Sequence, residues 1–137
     1  MNKKLIIIIA AVAVLLIGGI SAFLLLGNKE PKVAEIVYQE YELAEMYTNI
    51  KDPGKILKYQ INIEYSNVEL VAEFEKSKSK LVNNITEYFR NTDFATLTKA
   101  NGQERAREDI KDIIVETMGV DAESITNVYF LQFIIQG

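Results

Sequence analysis

Residues 57–65 read LKYQINIEY. Leu57, Tyr59, Ile61, Ile63 and Tyr65 alternate with Lys58, Gln60, Asn62 and Glu64, and a period of two sends successive side chains to opposite faces of a sheet. The stretch predicts a half-buried strand with one wet face. Its tyrosines read as the edge of a core rather than as a ligand cage. Just upstream, Asp52-Pro53-Gly54 predicts a turn. Pro53 presets φ at the second position and Gly54 tolerates positive φ at the third, which suits type II. A further strand is expected near Met46-Tyr47-Thr48-Asn49-Ile50. Just downstream, Ser66-Asn67-Val68-Glu69 has the spacing of a capping box, in which the serine and glutamate each satisfy the other's backbone N–H. The helix it opens should carry Leu70, Val71, Phe74, Leu81, Val82, Ile85, Tyr88 and Phe89 on one stripe, to about Arg90. Lys76-Ser77-Lys78-Ser79-Lys80 interrupts the stripe, so the helix is expected to leave the core there. Lys76, Lys78 and Lys80 form either a solvated face or a candidate interface to an acidic neighbour.

Further out, Asn91-Thr92-Asp93 ends that helix and begins a connection through Phe94 and Leu97. Asn101-Gly102-Gln103-Glu104 is a second capping-box pattern. The helix after it should bury Ala106, Ile110, Ile113, Ile114 and Met118, with Gly119 as C-cap. Residues 125–135, ITNVYFLQFII, are rich in β-branched and aromatic residues and are apolar on both faces in their second half. That predicts a central strand covered on both sides, or one whose second face meets another chain. Tyr129, Phe130 and Phe133 are the candidate interface residues there. Either way this strand is built into the core, and its loss should unfold the domain.

At the other end, residues 5–26 read LIIIIAAVAVLLIGGISAFLLL, without a charge, Asn, Gln or Pro. A helix of this length reaches roughly 33 Å, enough for a hydrocarbon core of roughly 30 Å. Leu5 to Leu26 is therefore expected to be a single transmembrane helix. Within it, Gly18 and Ala22 form a small-xxx-small pair of the kind that lets helices approach closely. Lys3 and Lys4 precede the run and the far flank is mixed in charge, which puts residues 1–4 in the cytoplasm and the rest outside it. A cleaved signal peptide fits less well, because the run is longer than such a core and no A-x-A site comes after it. The organisation read from the chain is an anchor (5–26), a juxtamembrane connector (27–46) whose pattern settles on no one period, and a small extracytoplasmic α+β domain (47–137).

Composition narrows the function. Discounting Lys3 and Lys4, a net charge of −4 becomes −6, which argues against nucleic acid and against peripheral binding to anionic lipid. With no His and no Cys, Ser-His-Asp, Cys-His and thiol chemistry are ruled out. There is no Gly-rich phosphate loop. Glu108, Asp109 and Asp112 share the wet face of a charged helix and read as solvated rather than as a Mg²⁺ or Ca²⁺ site. No catalytic, cofactor or metal residues are expected.

The order of anchor and connector, then Tyr41-Glu42-Leu43-Ala44-Glu45, Asn49-Ile50-Lys51-Asp52-Pro53-Gly54 and a strand, resembles the flagellar basal-body-associated protein FliL family. The long helix, the Asn101-Gly102-Gln103-Glu104-Arg105 turn and the terminal Asn127–Gln136 strand continue the likeness. Leu131-Gln132 departs from the small polar residue and acid more usual there. The resemblance implies a single-pass inner-membrane protein of the flagellar motor with an outer domain of stomatin, or SPFH, type. It also implies assembly of copies into a ring around the stator, and support or activation of the stator without catalysis. The competing reading is an unrelated membrane-tethered binding or sensor module. A pilin-like subunit is disfavoured because no acid lies just inside the apolar run.

Overall fold

The computed structural model describes residues 34–137. The expected span with Leu5, Gly18, Ala22 and Leu26 lies outside those residues, as do Lys3 and Lys4. Among the described residues no helix is long and apolar enough to cross a membrane. The elements run β1 (Gln39–Glu42), β2 (Met46–Asn49), β3 (Ile56–Tyr65), α1 (Leu70–Arg90), α2 (Phe94–Thr98), α3 (Gly102–Met118), a 3-10 turn (Ala122–Ser124) and β4 (Ile125–Gln136). The α+β class is as expected.

β3 is the centre of a four-stranded antiparallel sheet. β4 pairs with its whole length on one edge, from Ile56↔Gln136 to Tyr65↔Ile125. β1 and β2 lie end to end on the other, with Tyr41↔Ile63 and Thr48↔Leu57. Between them the chain stays on β3, because the Leu43 N–H donates to the Ile61 carbonyl at 2.9 Å. Residues 39–49 are in effect one strand with an irregularity after Leu43. Three residues (43–45) there face two of β3 (60–61). One extra residue flips which side chains point inward. Tyr41 and Leu43 are buried before the slip, and Thr48 after it. That is why no single period describes residues 33–46, and why part of the expected connector belongs to the sheet.

β4 corrects part of a second expectation: among the described residues it pairs with β3 alone, so it is an edge strand and not a central one. Register shifts fall opposite Gln60/Ile61 and Glu64/Tyr65, leaving Leu131 and Thr126 as the extra residues. Ile125, Val128, Phe130, Phe133 and Ile135 consequently pair with the inward residues Tyr65, Ile63, Ile61, Tyr59 and Leu57. The run looks apolar on both faces because two bulges change its phase.

The helices cover that inner face. α1 runs unbroken for 21 residues and buries Leu70, Phe74, Leu81, Ile85 and Phe89. Along the lysine run only Ser77 is half-buried, between the buried Phe74 and Leu81, while Lys76, Lys78, Ser79 and Lys80 are exposed. Phe89 is fully buried, with its ring centroid 4.7 Å from Tyr59, 6.3 Å from Phe130 and 6.1 Å from Phe133. Tyr41 stacks on Phe74 at 4.6 Å. α3 buries Ala106, Ile110 and Ile114 and leaves Ile113 and Met118 at the core margin. Gly119 closes it at φ 66°, its N–H on the Val115 carbonyl at 2.9 Å, the left-handed C-cap expected of glycine.

Neither capping box forms. Glu69 is already helical (φ −69°, ψ −19°) and no side chain caps α1. Asn67 takes the Glu69 N–H on its Oδ1 at 3.0 Å instead, an Asx turn that competes for the same donor. The Asn101 side chain makes no cap bond to α3. The connection before it holds a short helix, α2, capped by Asp93, which accepts from the Thr96 N–H at 2.7 Å. Gly102 is there for room: a Cβ would collide with the carbonyls of Thr96 and Leu97.

Candidate interaction surfaces

Among the described residues no group of three acidic, His or Cys side chains could hold a metal ion. Glu108 and Asp112 are exposed. Asp109 accepts a hydrogen bond from the Tyr88 hydroxyl at 2.8 Å. Burial, then this bond, raises the Tyr88 pKa far above that of a free phenol, so the tyrosine stays a neutral donor. The sheet's outer face is a surface that the described helices leave open.

Alternation on β3 sends Lys58, Gln60, Asn62 and Glu64 outward, as the sequence predicts, and among the described residues no helix covers them. Cross-strand rows result from the register: Tyr47–Lys58–Ile134, Glu42–Asn62–Tyr129 and Glu40–Glu64–Asn127. Glu40 and Glu64 are like charges directly opposite, an arrangement that disfavours pairing. Glu64 is drawn the other way, accepting from the Thr126 hydroxyl at 2.7 Å and the Tyr129 hydroxyl at 3.3 Å. At the opposite end Lys58 pairs with Glu45 at 3.0 Å and Tyr47 donates to the same carboxylate at 2.7 Å. These bonds, Tyr47 first and then Lys58, hold the Glu45 carboxyl below its usual range. Exposed pairs like this contribute little stability, so the cluster shapes the surface more than it holds the fold. Tyr47 (63% exposed), Leu131 (49%) and Ile134 (46%) stand out as large apolar side chains in water. Asn62 is nearly buried, with its Oδ1 unpartnered.

The structure separates the sequence-derived interface residues. Tyr129 is on the outer face. Phe130 and Phe133 are on the helix-covered face, half-buried against Phe89, so they do not share a surface with Tyr129. Lys76, Lys78 and Lys80 are exposed on α1. Lys76 is engaged with Glu73 at 3.4 Å.

Two features escape sequence reasoning. Ile36, Val37 and Tyr38, just before β1, are 62%, 59% and 54% exposed. A groove of about 660 Å³ lies between α2, the start of α3 and β4. The first is masked by the acidic residues around it. The second is built from residues 94–107 and 133–135, which only the fold brings together.

Comparison with known families matches the domain. The family model described as "Flagellar basal body-associated protein FliL" covers residues 40–136, which takes in every helix and, but for Gln39, every strand of the domain. No curated protein matches the chain.

Proposed function

Because the chain belongs to the FliL family of flagellar basal body-associated proteins, we propose that it is a membrane-anchored accessory of the flagellar motor. In this reading Leu5–Leu26 spans the cytoplasmic membrane with residues 1–4 inside. The sheet-and-helix domain, of stomatin or SPFH type, stands outside it. Copies of the domain assemble into a ring around the stator and support or activate it, and so serve motility and chemotaxis. The family is one of flagellar accessory proteins, not of enzymes. The observation that carries the reading is a family match spanning the sheet together with the helices packed on it.

The mechanism is avidity. Copies held in one membrane meet at high effective concentration, so contacts too weak to persist in solution become sufficient. The outer face around Tyr47, Tyr129 and Ile134 and the Lys76–Lys80 run on α1 are the surfaces offered to neighbours and stator. The test is crosslinking in living cells from photoreactive groups at Tyr47 and Lys78, with the captured proteins identified. Stator subunits and further copies of the chain are expected. Capture of only non-motor proteins, together with normal swimming and swarming under load when the chain is deleted, would overturn it.

A further inference from the structure

The groove between α2, α3 and β4 has Phe94, Leu97, Phe133 and Ile135 on its floor, with Lys99, Glu104 and Arg107 in its walls and Arg107 lying 3.7 Å from Glu104. It lies beside the edge of β4 that faces away from β3, and among the described residues no strand pairs there. A free edge next to an apolar groove is the arrangement that accepts an added strand: backbone bonds hold it, and alternate side chains fill the groove.

The same chain carries a segment of matching chemistry. Ile36-Val37-Tyr38 extends β1 beyond its last pair, Gln39↔Tyr65. It is β-branched and aromatic, largely in water, and flanked by Glu35 and Glu40. It cannot fill its own groove. Ile36 and Tyr38 border a recess with Thr126, at the start of β4, whereas the groove is at Phe133 and Ile135. From 126 to 133 is seven residues of strand, roughly 23 Å. Donor and acceptor sit at opposite ends of one edge strand.

We infer that the Ile36–Tyr38 arm of one copy adds to the free β4 edge of the next, with Ile36 and Tyr38 seated in the groove and Glu35 and Glu40 near Lys99 and Arg107. Two of the three charged wall residues are basic, which leaves a net positive wall opposite the acidic flanks, and the free arm and free edge satisfy each other. Because the two patches differ and lie far apart, the contact is heterologous, and repetition closes a ring or extends a filament. The inference names the contact behind the self-association proposed above and rests on that reading.

The cysteine-free chain suits a disulfide test in native membranes. Val37→Cys is combined in turn with Gln132→Cys, Ile134→Cys or Gln136→Cys in the full-length protein. Mild oxidation should give a ladder of covalent oligomers with at least one pair, and none when Val37→Cys is combined with Lys78→Cys. The exposed-site double variant Ile36→Asp/Tyr38→Asp should lose at least nine-tenths of the oligomer captured by a general amine crosslinker. If oligomers persist in the Asp variant and no pair gives a ladder, this contact is overturned while self-association stands. If the unaltered chain stays monomeric to the general crosslinker, self-association itself falls, and this inference with it. Capture of a different protein by Val37→Cys also overturns the assignment of a second copy as occupant.

Discussion

β3 and β4 lie side by side for the length of the sheet, and they solve the same packing problem differently. β3 keeps a strict alternation for ten residues and is bonded along both edges. β4 breaks its alternation twice, is bonded along one edge, and has α3 close to its first half. A central strand has no freedom to slip, because a shift of one residue would turn its whole apolar set to water. An edge strand can absorb extra residues, and each bulge twists it and re-aims the side chains beyond the bulge. The strand bonded on the other side of β3, residues 39–49, is also irregular. Regularity belongs to the middle of this sheet, and irregularity to both margins where partners could add.

The largest test of that contrast removes the margin altogether. Ending the chain at Ser124 deletes Ile125 and Val128 from the core and strips one edge of β3 of every partner. The domain should fail to fold, losing all of a net stability on the order of 5–15 kcal/mol; circular dichroism and proteolysis would report it. A folded truncated domain would mean that β3 does not need β4. Next is the side chain that ties the two strands together. Phe89 touches Tyr59 on β3 and both phenylalanines of β4, so Phe89→Ala should cost about 3–5 kcal/mol in urea unfolding.

Deleting Leu131 separates a bulge from its side chain. Leu131→Ala removes atoms that are half in water and should change stability by no more than about 0.5 kcal/mol. Removing the residue leaves Phe130, Gln132 and Phe133 opposite Ile61, Gln60 and Tyr59 in plain alternation, so Phe133 and Ile135 stay inward. The deletion should therefore be tolerated, changing stability by no more than about 1 kcal/mol. A loss of about 2–3 kcal/mol, as if Phe133 and Ile135 had lost their burial, would show that Leu131 is not the extra residue.

The same contrast governs how far the sequence can be read. The strand at 57–65 is plain because central position enforces its period. α1, α3 and the Gly119 cap are plain because a helix stripe and a left-handed glycine are local signals. Residues 125–135 read correctly as a strand but wrongly as a central one, because two bulges imitate two apolar faces. Residues 39–43 look like connector because a bulge after Leu43 shifts the phase between Tyr41 and Thr48. Both capping boxes have correct spacing, yet Asn67 takes the Glu69 N–H at one, and at the other Asn101 turns no side-chain acceptor to the helix. Among candidate surface residues, Tyr129 can be told from Phe130 and Phe133 only once the bulges are known. The groove is out of reach because its lining is scattered in sequence.

On the outer face of β3, Asn62 has a buried Oδ1 without a partner, and an unpaired buried acceptor costs about 1–3 kcal/mol. Asn62→Val removes it and suits a strand better, so it should stabilise the domain by about 1 kcal/mol. A loss instead would show that the amide is bonded.

A further test addresses the β1 margin, and the size of its effect depends on pH. Tyr41 donates to Glu75 at 2.7 Å. Burial first, and that carboxylate second, push its pKa from 10.0 up to about 12. Folding therefore favours the protonated phenol. Below pH 10 the phenol is protonated in both states and the stabilisation is whole. As pH rises from 10 through about 12, the unfolded chain gives up its proton first and the advantage is lost. Tyr41→Phe should cost about 0.5–1.5 kcal/mol at about pH 7 and flatten the alkaline decline. Tyr59 and Tyr88, whose pKa values are also raised by burial, leave part of that decline in place. If the variant and the unaltered domain fall in parallel between pH 10 and 12, Tyr41 is as solvated as the arm that precedes it, and the sheet begins later than Gln39.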